Sequence, residues 1–223
     1  MLSIIIPTLN AAATLRRTLR SVAVPIFPAE VVVSDGGSTD GTVDQARRAR
    51  AHVVTGPAGR GGQLARGADA AVGGWLLFLH ADTCLAPGWD EAAARFMERP
   101  ENANMAAVFR LRLDDDAPAA RRIERLANWR ARALGLPYGD QGLLISRRFY
   151  RSLGGFDDMP LMEDVALVRR IGRNRLAFLD AAAVTSADRY RRDGYWLRPL
   201  KNLLCLTLYF CGAAPAWLRK VYG

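Results

Sequence analysis

The sequence predicts an α/β fold in which helices cover both faces of a mostly parallel β-sheet. Short β-branched or apolar runs alternate with segments of helical composition from Leu2 to Leu79. This alternation is typical of parallel strands joined by right-handed helical crossovers. The chain has 223 residues, of which 50% are hydrophobic, so it is long enough to bury one substantial core. We therefore expect a three-layer α/β arrangement.

The strands and helices of the first half follow from local composition. The runs at 2–6 and 31–34 are β-branched and close on Pro7 and Asp35, and the apolar run at 75–79 closes on His80. A shorter strand is predicted at 52–55. Helices are predicted at 12–22, after Asp40-Gly41, and at 62–72.

The second half of the chain is less regular. Strands are predicted at 106–113 and 142–146, and helices at 119–134 and 163–171. The apolar segment 196–210 predicts one more helix. The apolar stretch 203–218 contains Gly212 and Pro215 and is short for a bilayer-spanning segment.

Loops with polar side chains follow three of the predicted strands directly. They contain Pro7, Thr8 and Asn10 after the first strand, Asp35 and Gly37 after the second, and His80, Ala81 and Asp82 after the fourth. Ligands of open parallel sheets bind beyond the carboxyl ends of the strands. We therefore expect these three loops to face one crevice.

The acids in these loops predict a cation site. Asp35 alone is typical of a turn and Asp82 alone of a helix cap or turn. Two acids at neighbouring strand ends repel each other unless hydrogen bonds or a cation compensate them. A hard divalent ion, held by one carboxylate and by substrate phosphates, is the simplest such compensation.

A glycine-rich segment, Gly59-Arg60-Gly61-Gly62, precedes a predicted helix. It can present backbone N–H groups and the Arg60 guanidinium to a phosphate. The segment has neither the lysine of a Walker A loop nor the spacing of a dinucleotide-binding loop. Arg66, about one turn further on, either reaches the same anion or is solvated on its helix.

Glu163 and Asp164 open the helix predicted at 163–171. Acids in a first helical turn are favoured by the helix dipole, so capping alone explains both residues. The functional interpretation is that one of them accepts a proton from a nucleophilic hydroxyl.

Four segments in order carry a family resemblance. SIIIPTLN, VVVSDGGSTDGT, WLLFLHADT and GGFDD followed by MEDVALVRR resemble the motifs of family 2 glycosyltransferases with the GT-A fold, over about residues 2–172. The most similar subgroup is that of the radical-SAM/selenodomain-associated bacterial transferases, some of which are assigned to arsenosugar biosynthesis. The GT-A fold is a Rossmann-like α/β/α arrangement, here with a C-terminal helical segment.

The resemblance implies roles for individual residues. It makes Asp82 the metal ligand of a DxD-like motif, Asp164 the general base with Glu163 beside it, and Asp35 a contact to the base or ribose. The remaining nucleotide-binding residues are then Pro7, Thr8, Asn10, Gly37, Arg60, Arg66, His80 and Ala81. His80 departs from the family pattern, which has an acid there; a neutral imidazole can contact either the ribose or the metal.

The implied function is transfer of a sugar from a nucleotide-diphosphate donor to an acceptor hydroxyl, with inversion and with Mn²⁺ or Mg²⁺. No QxxRW sequence is present, so the enzyme is expected to be non-processive. One alternative is a non-catalytic nucleotide-sugar-binding protein. Another is a sugar nucleotidyltransferase, which should carry a glycine-rich basic loop after the first strand, where this chain has PTLN.

The implied organisation is one GT-A domain over residues 1–195, with a nucleotide half at about 1–100 and an acceptor half at about 101–195. Residues 196–223 form a helical appendage, packed on the domain or serving as an interface. A peripheral membrane contact and a homodimer are both considered for this segment.

Charge and cysteine content limit the partners and the compartment. The net charge of +9 suits phosphate-rich small molecules, nucleic acid or anionic lipid. No aromatic-interleaved basic stripe is present, so no nucleic acid partner is expected. Three cysteines with neither disulfide nor zinc spacing, and an N-terminus without a signal-peptide pattern, predict a cytoplasmic location, with peripheral contact at the inner membrane surface open.

Overall fold

The first half of the chain follows the predicted alternation of strands and helices. The computed structural model describes residues 1–215 and 217–218. Its first strands are β1 Leu2–Thr8, β2 Ala29–Asp35, β3 His52–Thr55 and β4 Trp75–Phe78, and the helices between them are α1 Ala12–Ser21, α2 Thr42–Arg48 and α3 Arg60–Ala70. Helix α3 begins two residues before the predicted start, so Arg60 lies in its first turn.

The second half contains more regular structure than the sequence predicts. Its elements are β5 Thr83–Leu85, α4 Trp89–Met97, β6 Ala106–Leu113, α5 Pro118–Leu134, β7 Leu143–Ser146, α6 Arg147–Ser152, α7 Glu163–Ile171, β8 Leu176–Thr185, α8 Asp188–Asp193 and α9 Leu197–Phe210. The predictions of β6, α5, β7, α7 and α9 are confirmed, whereas β5, β8, α4, α6 and α8 were not predicted. Strand β8 contains Ala181-Ala182-Ala183, a composition that favours helix, and its pairing with β6 and β5 overrides that preference.

One eight-stranded sheet runs through both halves in the order β3-β2-β1-β4-β7-β6-β8-β5. The pairs among the first four strands are parallel, as is β6 with β8. Strands β7 and β5 run antiparallel to their neighbours. Because Leu143 at the start of β7 pairs with Phe78 at the end of β4, the turn before β7 joins the crevice edge.

Alternating side chains of the central strands pack into two separate clusters, one on each face of the sheet. Ile4 and Ile6 pack in the cluster that contains residues of α1 and α4. Ile5 and Phe78 pack in the cluster that contains residues of α3, α6 and α7. This period of two along a strand produces the three-layer architecture.

Helix α9 packs on the domain through one side only. Cys205 and Leu206 are buried in a cluster with Leu161, Met162 and Val165, which lie just before and within α7. No helix in the described part of the chain is both long enough and apolar enough to cross a bilayer. The division at residue 195 remains a prediction, and residues 216 and 219–223 of the predicted appendage lie outside the described residues.

Candidate active site

The loops that follow β1 and β2 are tied together by side chains at the crevice edge. The Asn10 backbone N–H donates to Ser38 Oγ at 2.8 Å, and Asn10 Oδ1 accepts from the Thr39 backbone N–H at 2.9 Å. Asn10 has a φ of 50°, a left-handed conformation that asparagine tolerates better than most residues. The first strand-end loop is therefore fixed against the second.

Asp35 is almost completely buried and has its carboxylate enclosed by donors. Oδ1 accepts from Thr8 Oγ1 at 2.8 Å and from Ser38 Oγ at 2.6 Å. Oδ2 accepts from the backbone N–H groups of Gly37 and Ser38, each at 2.8 Å. Burial on its own raises the pKa of Asp35, but these hydrogen bonds outweigh it and lower the pKa.

These contacts show how Asp35 and Gly37 are placed relative to the predicted nucleotide site. Neither residue is part of the cleft wall described below. Their contacts fit a positioning role, in which Asp35 holds the turn that carries Ser38. A direct contact of either residue with a nucleotide stays a prediction.

Gln63 connects the strand ends and was missed by sequence reasoning. Its Nε2 donates to Thr8 O at 2.7 Å and to Ser34 O at 3.0 Å, and its Oε1 accepts from the Gly59 backbone N–H at 3.2 Å. The side chain therefore joins β1, β2 and the start of α3 at one point. A glutamine within a helical segment carries no sequence signal for such a contact.

A cleft of about 470 Å³ lies over these strand ends. Six of the predicted nucleotide-binding residues line it: Pro7, Thr8, Asn10, Arg60, His80 and Ala81. The metal ligand predicted from the resemblance, Asp82, also lines this cleft, as does Gln63. Arg66 does not: its Nη2 donates to Asp35 O and to Pro57 O, each at 3.3 Å. The guanidinium of Arg66 is thus held against loop backbone.

A second, more enclosed pocket of about 110 Å³ adjoins the cleft. The two share four wall residues, Arg60, His80, Asp82 and Arg189. Asp140 and Asp164 also line this second pocket. The strand end of β4, the turn before β7 and the start of α7 therefore meet, although they are distant in sequence.

Asp164 is fixed at the pocket wall by backbone donors. Its Oδ2 accepts from the Gly139 N–H at 2.8 Å, and its Oδ1 accepts from the Val165 N–H at 2.7 Å. The nearby Met162 has a φ of 69°, a left-handed conformation that is uncommon for a non-glycine residue. This backbone turn directs the first residues of α7 toward the pocket.

His80 lies next to Gly139 on the same wall. A Cβ atom at Gly139 would come within 2.5 Å of His80 Nε2, so only glycine allows this approach. Burial, together with the positive charge of Arg60, lowers the pKa of His80 to about 4, against the opposing effect of Asp82 and Asp164. The imidazole is therefore neutral at neutral pH.

Two carboxylates of the second pocket have buried oxygens that the rest of the described chain does not satisfy. Oδ1 of Asp82 and Oδ1 of Asp140 have no hydrogen-bond partner among the described residues. Burial, with the negative charges of Asp164 and Asp82 adding to it, raises the pKa of Asp140 to about 6. Asp140 was not singled out from the sequence, because one acid in a Gly-Asp-Gln turn has an ordinary turn composition.

These unsatisfied oxygens fit a divalent cation. Hard cations take carboxylate oxygens and, in the case of Mg²⁺, often only one or two of them, with substrate phosphates completing the shell. No group of three or more His, Cys, Asp or Glu side chains within residues 1–215 and 217–218 forms a complete metal site. Asp82 and Asp140 fit a partial site that a diphosphate would complete, and metal binding at Asp82 stays a prediction.

Glu163 and Asp164 are adjacent in sequence but have different partners. Its side chain is 1% exposed, and its Oε1 lies 3.4 Å from Nη1 of Arg60. Burial and the neighbouring Asp164 raise the pKa of Glu163 to about 7, against the opposing effect of Arg60. Asp82 lines both the cleft and the second pocket, and Glu163 lines neither of them. The contact of Glu163 with Arg60 fits a role in positioning Arg60. A catalytic role for Glu163 stays a prediction.

Three arginines, Arg189, Arg191 and Arg192, lie in the segment before α9. Arg191 pairs with Asp115 at 2.9 Å and with Asp188 at 2.9 Å, and Arg192 pairs with Asp193 at 2.7 Å. Arg189 instead lines both pockets. Only this arginine of the three is positioned to face a ligand.

Helix α9 contributes directly to the second pocket. Arg198, which is 4% exposed and pairs with Asp193 at 3.2 Å, lines the wall together with Asn202. Oδ1 of Asn202 is buried without a hydrogen-bond partner in the described part of the chain. The segment predicted as an appendage therefore closes one side of the pocket.

Comparison with solved structures shows the GT-A fold. S. aureus TarS in complex with UDP-GlcNAc superposes with a TM-score of 0.66 at 18% identity, covering 99% of this chain and 70% of that chain. The mannosyltransferase PcManGT from Pyrobaculum calidifontis, in complex with GDP-Man and Mn²⁺, gives 0.66 at 20% identity and covers 99% and 67%. A glucosyl-3-phosphoglycerate synthase from Mycobacterium tuberculosis, in complex with Mn²⁺, UDP and glucosyl-3-phosphoglycerate, gives 0.60 at 22% identity and covers 83% and 70%.

Sequence comparison gives the family. Proteins of Mycobacterium bovis and Mycobacterium tuberculosis described as PGL/p-HBAD biosynthesis glycosyltransferases are 46% identical over 94 residues, which is 38% of this chain. The chain matches only about a third, 36%, of the length of these relatives. The family described as "Glycosyl transferase family 2" matches residues 3–158, which is well over half of the chain. This chain therefore belongs to glycosyl transferase family 2.

Proposed function

We propose that this protein transfers a single sugar from a nucleoside-diphosphate donor to an acceptor hydroxyl, with inversion at the anomeric carbon. The observation that carries the proposal is the junction of the two pockets, where Asp82 and Arg60 line both and Asp164 lines the inner one. A nucleoside in the open cleft would direct its diphosphate to this junction and its sugar toward Asp164. The solved relatives that carry UDP-GlcNAc or GDP-Man in the same fold support a donor of this class.

The diphosphate would be bound by arginines and by the partial cation site. Arg60 and Arg189 both line the junction, and a guanidinium pairs with phosphate oxygens through two parallel hydrogen bonds. Asp82, with Asp140 beside it, would hold Mn²⁺ or Mg²⁺. When bound there, the cation would neutralise charge on the departing nucleoside diphosphate. The neutral His80 adds a hydrogen-bonding group without adding charge.

Asp164 would act as the general base. Both of its oxygens are held by backbone N–H groups, so the carboxylate is oriented before the acceptor arrives. It would accept the proton of the acceptor hydroxyl as that oxygen attacks the anomeric carbon from the face opposite the diphosphate. The bond from the anomeric carbon to the diphosphate oxygen breaks as the new glycosidic bond forms, which inverts the configuration.

The substitution Asp164→Asn tests this role. It preserves size and one acceptor oxygen but removes the base, so donor turnover should fall by roughly two to four orders of magnitude. Nucleoside diphosphate binding, measured by calorimetry, should change less than threefold. Asp180→Asn is the matched control, because the Asp180 side chain is 89% exposed and belongs to neither pocket wall. Full turnover in the Asp164 variant would refute the assignment.

The donor can be identified by a thermal-shift screen of nucleoside diphosphates and their sugars, with and without Mn²⁺. Release of nucleoside diphosphate in the presence of an acceptor panel supports transfer. Metal-dependent binding without hydrolysis or transfer supports the non-catalytic alternative, and release of pyrophosphate from a nucleoside triphosphate supports a nucleotidyltransferase. Membership of the radical-SAM/selenodomain-associated subgroup, a link to arsenosugar chemistry and a cytoplasmic location remain predictions.

A further inference from the structure

Helix α9 presents a broad apolar strip to solvent. Leu197, Leu200, Leu203 and Leu204 are 66%, 62%, 57% and 48% exposed, and Lys201 lies exposed among them. We call these five residues the α9 face. At 1.5 Å per residue, the eight residues 197–204 of the helix make this strip about 12 Å long. The opposite side of the helix carries the buried residues.

Further exposed aromatic residues extend the strip at both ends. Trp196 before the helix is 77% exposed, and Phe210 at its end is 46% exposed. Single exposed apolar side chains are ordinary on protein surfaces, but a contiguous strip of large ones marks an interaction site. The α9 face is a strip of this kind.

Cationic side chains border this surface. The Arg122 guanidinium lies 5.3 Å from the centre of the Trp196 ring, and that of Arg169 lies 5.0 Å from the centre of the Phe210 ring. Lys201 is exposed on the α9 face, and the sequence of residues 194–223 contains no Asp or Glu. The partner must therefore accept apolar groups and positive charge together.

Helix α5 continues the same chemistry. Leu126 and Trp129 are 65% and 61% exposed. They follow Arg122 by four and seven residues, which is the spacing of one helix face. Arg122, which contacts Trp196, thus belongs to a second exposed face with apolar and basic side chains.

We infer that the α9 face docks on an anionic membrane surface. Leucines buried at the acyl boundary, tryptophans at the interface and Lys/Arg near anionic headgroups are the pattern of helices that lie in the plane of a bilayer. Each basic residue near such a surface adds about 1 kcal/mol of attraction, or roughly fivefold in partitioning. The inference goes beyond the proposed function and does not depend on it.

A second copy of this chain is a poorer occupant. A two-fold interface pairs a patch with itself. Lys201, Arg122 and Arg169 would then face the same set of cations on the other copy, and residues 194–223 supply no acid to neutralise them. Anionic lipid provides the missing negative charge.

Docking would also set the orientation of the candidate active site. The inner side of α9 contributes Arg198 and Asn202 to the wall of the second pocket. Because a helix with its side chains is about 10 Å across, the pocket wall would lie within about that distance of the lipid headgroups.

The test is co-sedimentation of the full chain with two kinds of vesicle. One kind is pure phosphatidylcholine, and in the other about a third of the lipid is replaced by phosphatidylglycerol. Most of the protein should pellet with the anionic vesicles, and at least tenfold less should partition to the neutral ones. Raising the salt to about half molar should weaken binding to the anionic vesicles severalfold. The substitution Lys201→Ala should lower the partition coefficient about fivefold.

The double variant Leu200→Glu/Leu204→Glu should lower binding to the anionic vesicles at least tenfold. Val24→Glu/Val72→Glu is the matched control, because Val24 and Val72 are 91% and 70% exposed elsewhere on the surface, and it should bind as the unmodified chain does. Circular dichroism and thermal melting verify that both variants are folded. The inference is overturned if both double variants lose vesicle binding equally. It is also overturned if the unmodified chain does not bind anionic vesicles at low salt. A dimer, seen by light scattering, that only the α9 substitutions dissociate overturns it as well.

Discussion

Gln63 offers the sharpest test of how the nucleotide cleft is built. The substitution Gln63→Met keeps the volume of the side chain nearly constant, so it leaves little cavity. It removes the two hydrogen bonds to Thr8 O and Ser34 O and the one accepted from the Gly59 N–H. Thr8 O keeps a second bond, from the Gly36 N–H at 2.8 Å, and is not left unsatisfied.

The expected loss follows from this inventory. Two buried neutral hydrogen bonds at about 1 kcal/mol each, with a smaller contribution from the partly exposed Gly59 N–H, give a loss of about 2–3 kcal/mol in the free energy of unfolding. Gln45→Met is the matched control: Gln45 Nε2 makes one bond, to Ala12 O at 3.0 Å, and Oε1 is buried without a hydrogen-bond partner among the described residues, so the loss should be at most about 1 kcal/mol. Nucleoside diphosphate affinity should fall about tenfold in the Gln63 variant alone, a free-energy change of about 1.4 kcal/mol.

Gln63→Glu adds a dependence on pH. A carboxylate would lie against the same two carbonyl oxygens, so burial and repulsion raise the pKa of the introduced carboxyl in the folded state. The native state then binds more protons than the unfolded state, and stability falls as pH rises. Urea unfolding at pH 5 and pH 8 measures both effects. A Gln63→Met variant that is as stable as the unmodified chain, with unchanged nucleoside diphosphate affinity, would refute this account of the cleft.

Three further predictions concern the pocket and the acid stability of the chain. Asp82→Asn should weaken nucleoside diphosphate binding at least tenfold in the presence of Mn²⁺ and much less in its absence; calorimetry that finds equal losses contradicts the cation site. Gly139→Ala puts a Cβ within 2.5 Å of His80 Nε2, so donor turnover should fall more than tenfold while the melting temperature changes by only a few degrees; unchanged turnover contradicts the geometry. The pKa of Asp115 is lowered to about 2, first by the hydrogen bond from the Tyr195 hydroxyl. The ionised Asp115 therefore stabilises the folded state above pH 3.8, and this stabilisation is lost as the pH falls toward 2. Asp115→Asn should remove this part of the acid-unfolding curve. Circular dichroism between pH 4 and 2 measures the curve.

The predictions that held depend on local patterns. Strand β1 was predicted from its β-branched run, and the structure places alternate residues of that run, Ile4 and Ile5, on opposite faces of the sheet. The convergence of the loops after β1 and β4 follows from the parallel direction of these strands, because their carboxyl ends share one edge. Such features need no knowledge of distant residues.

The features that local patterns did not indicate depend on partners far away in sequence. The alanine-rich strand β8 exists because β6 and β5 pair with its two edges. Arg66 is turned toward the backbone of Asp35 and Pro57 and away from the cleft, which no local pattern indicates.

By itself, the sequence determined the alternating architecture, the crevice at the carboxyl ends of the strands and the family motifs that single out Asp82 and Asp164. The tertiary structure decided which neighbours these residues have. Antiparallel pairing of β7 with β4 brings Gly139 and Asp140 to His80 and Asp82, which are distant from them in sequence. Burial there makes His80 neutral and raises the pKa of Asp140, whereas Asp35 is enclosed by donors and stays ionised. The physical reason is that hydrophobic periodicity is a local property, whereas burial and hydrogen bonding depend on residues that only the fold brings together.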